Sequence, residues 1–281
     1  YSSWIQNEIN KYNYYKISHF DGIFLFLHNI ILFEMNIKQY LDSTYLKTAA
    51  QANLSEKENT EVVKNCIQEA IDNDFKLIMI RPDKVAMARK MIHEANSKVT
   101  IGTVIDFPLG NGTLEAKLAE AKQAIENGVD DLDYVVDYEA FKRGEIDIVK
   151  EQVLQGTKLG LAHNKIVKWI IEVAVLDNHQ IVQLSALIKN VVIANFSEKE
   201  YDKVFVKSST GFYKTPEGVP NGATVPTIKL MLENSCPLPV KAAGGVRTYD
   251  EAVEMVQLGV KRIGTSAAKA IANGEISNSD Y

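Results

Sequence analysis

Between about residue 37 and residue 272, eight short apolar runs alternate with eight amphipathic stretches, and no long linker separates them. Strict alternation of this kind places the strands parallel and routes each connection through a helix. Eight such units in roughly 240 residues favour a closed α/β barrel of the (β/α)8 (TIM) type over an open, doubly wound sheet. The predicted strands are Ile37–Leu41, Leu77–Ile80, Val99–Ile105, Leu132–Val136, Lys168–Val173, Val204–Lys207, Pro239–Ala243 and Arg262–Gly264. The predicted helices are Ser55–Ala70, a stretch opened by Pro82 that carries Val85 to Ile92, Leu114–Ile125, Ile146–Leu159, Gln180–Val191, Thr224–Leu232, Tyr249–Leu258 and Ser266–Ala272. Ser55 suits an N-cap, and Asn127-Gly128 and Gly259 suit helix stops. No Gly-x-Gly-x-x-Gly follows the first strand, which argues against a dinucleotide-binding unit.

Apolar residues make up 46% of the 281 positions, enough for one large core. The formal net charge of -5 gives no general attraction to nucleic acid or to an anionic membrane. The longest apolar run, Ile23 to Phe33, is interrupted by His28 and Asn29 and is too short to span a bilayer. It also lacks the pattern of a signal peptide. The two cysteines, Cys66 and Cys236, lie in no Cys-x-x-Cys or Cys/His cluster, so no metal site or disulfide framework is expected. Cys66 reads as a small buried apolar residue on a helix, and a reducing cytoplasm is the expected setting.

Residues 1–34 differ from the rest, being rich in Tyr, Asn, Ile, Phe and Lys with little periodicity. Two readings fit them. Met35 is the initiator and the preceding residues are an appendage, or Phe20, Ile23, Phe24, Leu27 and Ile31 line one face of a genuine N-terminal helix. The domain reading is therefore an extension at 1–34, a barrel at 35–274 and a tail at 275–281.

Active sites of such barrels gather at the C-terminal ends of the strands. Three polar side chains stand out there. Lys207 closes the apolar run Val204-Phe205-Val206. A buried ammonium is costly, so its pKa falls, and a neutral amine attacks a carbonyl to form a Schiff base. The plain alternative is a lysine whose stem packs while its head reaches solvent. Lys241 closes the next strand in the same way, so the two ammonium groups become neighbours and each disfavours protonation of the other. Asp133 shares one face of its strand with Asp131, Val135 and Asp137. It serves as a proton shuttle or as a structural ion-pair partner. Asp137 reads as a solvated charge or a helix cap. Two small-residue turns, Gly244-Gly245 and Gly264-Thr265-Ser266, follow the last two strands, where barrels of this type bind phosphate. Tight turns that need positive φ are the alternative.

Several segments together resemble the deoxyribose-phosphate aldolase family. They are Leu41-Asp42-Ser43-Thr44, Val104 to Gly110 (VIDFPLG), Leu132 to Val136 (LDYVV), Val206 to Phe212 (VKSSTGF), Val240 to Thr248 (VKAAGGVRT) and Arg262 to Ser266 (RIGTS). The resemblance implies a class I (Schiff-base) aldolase that reversibly cleaves 2-deoxy-D-ribose 5-phosphate to acetaldehyde and D-glyceraldehyde 3-phosphate. Under it, Lys207 aligns with the Schiff-base lysine, Lys241 with the lysine that lowers its pKa, and Asp133 with the proton relay. Gly211, Gly244, Gly245, Gly264 and Ser266 align with the phosphate pocket, and Asp42 and Thr44 with the substrate's hydroxyl end. Tyr281 aligns with a tail tyrosine that assists proton transfer at the enamine carbon. Phe212 stands where some members carry a phosphate-binding lysine, which shifts that task to backbone N–H groups and Lys214. Ala267 stands in place of a second serine. The lysine supplies the electron sink, so no cofactor or metal is expected. Partners are a small sugar phosphate and aldehydes, with no nucleic acid or membrane, and a homodimer is compatible. Competing readings are a class I aldolase for another sugar phosphate, a non-catalytic sugar-phosphate sensor, and a flavin-phosphate barrel.

Overall fold

The computed structural model describes residues 36–275. The expectations for residues 1–34, for Met35 as initiator and for Tyr281 lie outside the described residues, as does the apolar run Ile23–Phe33. Eight strands, β1 (Leu41–Thr44), β2 (Leu77–Ile80), β3 (Thr100–Ile105), β4 (Asp131–Val135), β5 (Ile166–Ile170), β6 (Val204–Lys207), β7 (Val240–Ala243) and β8 (Arg262–Thr265), form a closed barrel in chain order. Every neighbouring pair is parallel, and β1 closes on β8.

The surrounding helices are α1 (Ala49–Ala52), α2 (Glu56–Asn73), α3 (Val85–Glu94), α4 (Leu114–Glu126), α5 (Tyr138–Lys142), α6 (Ile146–Ala162), α7 (Asn178–Asn195), α8 (Val225–Ser235), α9 (Tyr249–Leu258) and α10 (Ala268–Asn273). Their starts are locally encoded. Ser55 accepts the amide of Glu58 while the Glu58 carboxylate accepts that of Ser55, and Thr48, Asp177, Thr224 and Thr248 repeat this reciprocal cap. Gly259 ends α9 at φ 113°, a conformation costly to any residue with a Cβ.

Side chains alternate between the barrel interior and the helix layer. On the outer face Tyr134 stacks on Trp169 with centroids 4.7 Å apart. The Trp169 indole N–H donates to Thr157 Oγ1 at 3.0 Å. Gly156 of α6 lets that ring approach, since a Cβ there would lie 2.8 Å from the indole. This outer packing seats β4 and β5, and alternation then turns Asp131, Asp133 and Lys168 inward.

Two strands sit elsewhere than the apolar pattern predicts. Ile37–Tyr40 is a 3-10 turn, and the first strand is the polar Leu41–Thr44, buried throughout. A strand this polar is stable only because cations inside the barrel meet its Asp42. The fifth strand begins at Ile166 and ends at Ile170, before Glu172 takes a left-handed conformation at φ 55°. Lys241 does not close its strand, because β7 runs on to Ala243. Asp137 caps α5 by accepting the Ala140 amide at 2.8 Å and is buried, so it is a cap and not a solvated charge. Cys66 is half-buried rather than fully enclosed, and burial pushes its thiol up to about 11. No helix among the described residues is long and apolar enough to cross a membrane.

Candidate active site

The barrel interior is ionic. Asp133 from β4 sits at its centre. Its Oδ2 accepts from Lys207 Nζ of β6 at 3.0 Å and from Lys241 Nζ of β7 at 2.9 Å. Its Oδ1 accepts from Lys168 Nζ of β5 at 2.8 Å. Lys168 also reaches Asp131 Oδ2 at 2.6 Å, and Lys241 reaches Asp42 Oδ2 of β1 at 2.6 Å. Arg262 of β8 donates to Asp42 Oδ1 through Nε at 2.7 Å and lies 3.3 Å from Asp131 through Nη2. Parallel registry explains the meeting, because Lys207 pairs with Lys241, Lys241 with Arg262, and Asp133 with Lys168. All seven side chains are buried.

Four cationic side chains thus face three carboxylates in a region closed to water. The cluster is neutral when one cation gives up its proton. Lys207 is the weakest held, since among the described residues its one ion pair is to an oxygen that Lys241 also occupies. Burial is the main force lowering its pKa, and the Lys241 and Lys168 charges add to it. Asp133 opposes them, and the ammonium settles at about 8. Lys241 moves the other way. Burial opposes its charge, but Asp133 and Asp42 outweigh burial and raise its pKa. Burial pushes Asp133 upward, yet Lys168, Lys241 and Lys207 together hold it well below the usual carboxylate range. Asp42 is likewise lowered, by Arg262, Lys241 and Lys168 against burial. One amine is therefore readily freed of its proton, beside a fixed cation and a fixed anion.

Above the cluster, a cavity of about 720 Å³ is lined by Lys47, Lys214 and Arg247 together with Gly211, Asn221 and Gly245. Three cationic side chains in an overall acidic protein make this a place for an anion. The residues aligned with a phosphate pocket do not all gather here. Gly211 and Gly245 line the cavity, but the Gly211 N–H donates to Ser209 Oγ at 2.9 Å. Gly244 is buried at φ 79° against Gly222. Gly264 lies within β8, not in the turn, and a Cβ there would come within 3.0 Å of Lys241 Cε. Gly264 thus makes room for the Lys241 stem. Ser266 is exposed in the turn after β8. Asp42 belongs to the ion cluster, and Thr44 Oγ1 donates to the Asp42 carbonyl at 2.9 Å. Phe212 packs edge-on against Phe107 at 5.0 Å and joins an apolar cluster with Leu46, Leu77, Met79 and Val104.

Several functional candidates escaped the sequence reading. Lys168 carries the same signal as Lys207, a cation in an apolar run, but the predicted strand began at it and hid its interior position. Arg262 reads from the chain as a strand start and as part of the RIGTS segment, without a role of its own. Lys47 follows the first strand by three residues, and Arg247 lies in the VKAAGGVRT segment. Among the described residues, no group of three or more His, Cys, Asp or Glu is placed to hold a metal ion.

A parallel barrel whose interior sets a lysine of lowered pKa beside a charged lysine and a carboxylate has the groups that amine-based aldol chemistry needs. Residues 39–276 match the model of the DeoC/LacD family aldolases. The chain is 37% identical over 239 residues to the deoxyribose-phosphate aldolase of Thermococcus kodakarensis, covering 85% of this chain and 96% of that one. It is 34% identical over 248 residues to the deoxyribose-phosphate aldolase of Streptococcus pneumoniae, covering 88% and 100%. The deoxyribose phosphate aldolase of Aeropyrum pernix, described as a tetramer, superposes with a TM-score of 0.68 at 28% identity, over 84% of this chain and 89% of that one. The chain belongs to the DeoC/LacD aldolase family.

Proposed function

We propose that this aldolase reversibly cleaves 2-deoxy-D-ribose 5-phosphate to acetaldehyde and D-glyceraldehyde 3-phosphate, with Lys207 as the Schiff-base nucleophile. The observation that carries the reading is the buried amine of Lys207, held at about 8 beside a permanently charged Lys241. The Lys207 nitrogen adds to the aldehyde carbon of the open-chain sugar. The carbinolamine then loses water to form a protonated imine, with Asp133 assisting the proton transfer through a water. The iminium draws the electron pair of the C2–C3 bond as the C3 hydroxyl proton leaves, which releases glyceraldehyde 3-phosphate. The remaining enamine is protonated at carbon, a step assigned to Tyr281. Water then adds back to free acetaldehyde and restores the amine, so the water lost at imine formation is regained. Lys47, Lys214 and Arg247 hold the phosphate. A homodimer or larger homo-oligomer in the cytoplasm is part of the same reading, supported by the tetrameric Aeropyrum relative and by two unpaired cysteines.

The test is borohydride reduction in the presence of 2-deoxyribose 5-phosphate or acetaldehyde, followed by peptide mapping. A reduced two-carbon adduct on Lys207, absent in Lys207→Ala, is the expected result. An adduct on another lysine, or none on folded protein, would refute the assignment. Lys47→Ala combined with Arg247→Ala is expected to raise KM for the phosphorylated sugar at least tenfold, and an unchanged KM would place the phosphate elsewhere.

A further inference from the structure

Glu172 lies outside the ion cluster, yet its carboxyl group is held by Ser209 and Thr210, which follow the candidate nucleophile. It sits two residues beyond β5 at φ 55° and is 1% exposed. A left-handed conformation is uncommon for a residue with a Cβ and persists where surrounding contacts enforce it. Here the enforcing contacts are from Ser209 and Thr210. Glu172 Oε1 lies 2.8 Å from Ser209 Oγ. Its Oε2 accepts the Thr210 amide at 3.2 Å and also contacts Thr210 Oγ1. Ser209 Oγ lies 2.7 Å from the Asn221 carbonyl oxygen and accepts the Gly211 N–H. Thr210 Oγ1 accepts the Phe212 N–H at 3.0 Å.

These oxygens can be counted. Three oxygen–oxygen contacts, Glu172 to Ser209, Ser209 to Asn221 and Thr210 to Glu172, each require a proton. The two hydroxyls supply two. The Asn221 carbonyl can donate none, and the neighbouring amide protons are already committed. The third proton has one place left, on Glu172.

We propose that Glu172 is a positioning residue that works as a neutral acid, donating through Ser209 to the Asn221 carbonyl and so fastening the segment 211–223 over the phosphate cavity. The far end of that segment is fastened independently. The Ala223 N–H reaches the carbonyls of Ala243 at 3.1 Å and Gly244 at 2.8 Å. Gly222 lies so close that a Cβ would come within 2.5 Å of the Gly244 oxygen. Asn221 itself lines the cavity with Lys214 and Arg247. Burial raises the Glu172 carboxyl and outweighs the hydrogen bonds from Thr210, in the direction the proton count requires. Among the described residues, the titratable groups facing it are Lys207 from β6 and Tyr138 from α5. Tyr138 is pushed to about 12, chiefly by burial, so it stays neutral and adds no charge. Ionising Glu172 removes one of the three protons, breaks one link of the relay and loosens the cover.

The proposal rests on the aldolase reading for its kinetic test but has a test of its own. Infrared difference spectra of the whole protein, wild type against Glu172→Gln, are expected to show a protonated carboxylic-acid C=O band at neutral pH that the variant lacks. Absence of that band overturns the proposal whatever the protein's activity. In kinetics, Glu172→Gln places an amide N–H where the acid proton stood. Its KM for 2-deoxyribose 5-phosphate is expected to match the wild type at neutral pH and to lack the rise at alkaline pH expected of the wild type. Glu172→Ala is expected to raise that KM roughly tenfold, the size of one lost buried hydrogen bond. Turnover of unphosphorylated 2-deoxyribose is expected to change little in either variant. A Gln variant as impaired as the Ala variant, or equal losses on both sugars, would overturn the positioning role. Wild-type protein that neither turns over the sugar phosphate nor forms the borohydride adduct would sink the aldolase reading, while the infrared band would still decide the state of Glu172.

Discussion

Replacing Lys207 with Met removes a side chain that the fold holds at a cost, and the cost can be worked out. In an unfolded chain the ammonium titrates near its ordinary value of 10.5, and in the barrel at about 8. At neutral pH the folded protein therefore keeps a proton on a group that binds it less tightly than water-exposed lysine does. A shift of this size corresponds to about 3 kcal/mol. Met fills nearly the same space, and Asp133 is not left alone, since Lys168 remains at 2.8 Å and Lys241 at 2.9 Å. The sign follows from proton binding. Below about pH 8 both folded and unfolded states hold the proton, so the full cost is present. Between about 8 and 10.5 the unfolded state holds it and the folded state does not, so wild-type stability rises with pH. Lys207→Met is thus expected to be more stable than wild type at pH 7, by about 1 to 3 kcal/mol once imperfect repacking is allowed for. The advantage is expected to fade toward pH 10.5. Urea unfolding of both proteins across that range measures it. A variant less stable at pH 7, or an advantage that does not change with pH, would refute the charge accounting.

Asp131→Asn removes one carboxylate from the cluster and leaves four cations facing two, so the proton on Lys207 is held still less tightly; the acid limb of the kcat/KM profile is expected to move down by about a unit, and a limb that moves up or stays would count against shared electrostatics. Gly264→Ala places a methyl 3.0 Å from Lys241 Cε and 3.3 Å from Ala243 Cβ. Displacing the Lys241 ammonium is expected to lower kcat at least tenfold while the far-ultraviolet circular dichroism stays native, and an unaltered kcat would mean that Lys241 has room to spare.

The barrel was legible because seven of its eight strands are apolar enough to stand out from their amphipathic neighbours. The exception, Leu41–Thr44, shows where that signal fails. Its interior faces ions, so local apolarity points instead to the neighbouring turn at Ile37–Tyr40. Lys207, Lys241 and Asp133 could be read from the chain since each is a charge in an apolar run, and the barrel does bring them together. What the chain could not show is how the charges balance. That balance depends on Lys168, Arg262 and Asp131, whose meeting requires registry between strands far apart in sequence. Glu172 was hidden for a different reason. In Ile170-Ile171-Glu172-Val173 it reads as one more strand residue, and only its backbone conformation reveals the turn that aims it at Ser209 and Thr210.

The ion pair between Asp42 and Arg262 joins residues 220 positions apart, across the seam where the first strand meets the last. Asp42 also fixes Lys241, whose charge adds to burial in lowering the proton affinity of Lys207. During synthesis, the surroundings that perturb Lys207 are therefore completed late. Until the last strand emerges and the seam closes, Lys207 lacks the full burial and neighbouring charges that lower its pKa. Closing the ring completes the surroundings that lower the proton affinity of Lys207, and local opening at the seam would return it toward that of an ordinary lysine.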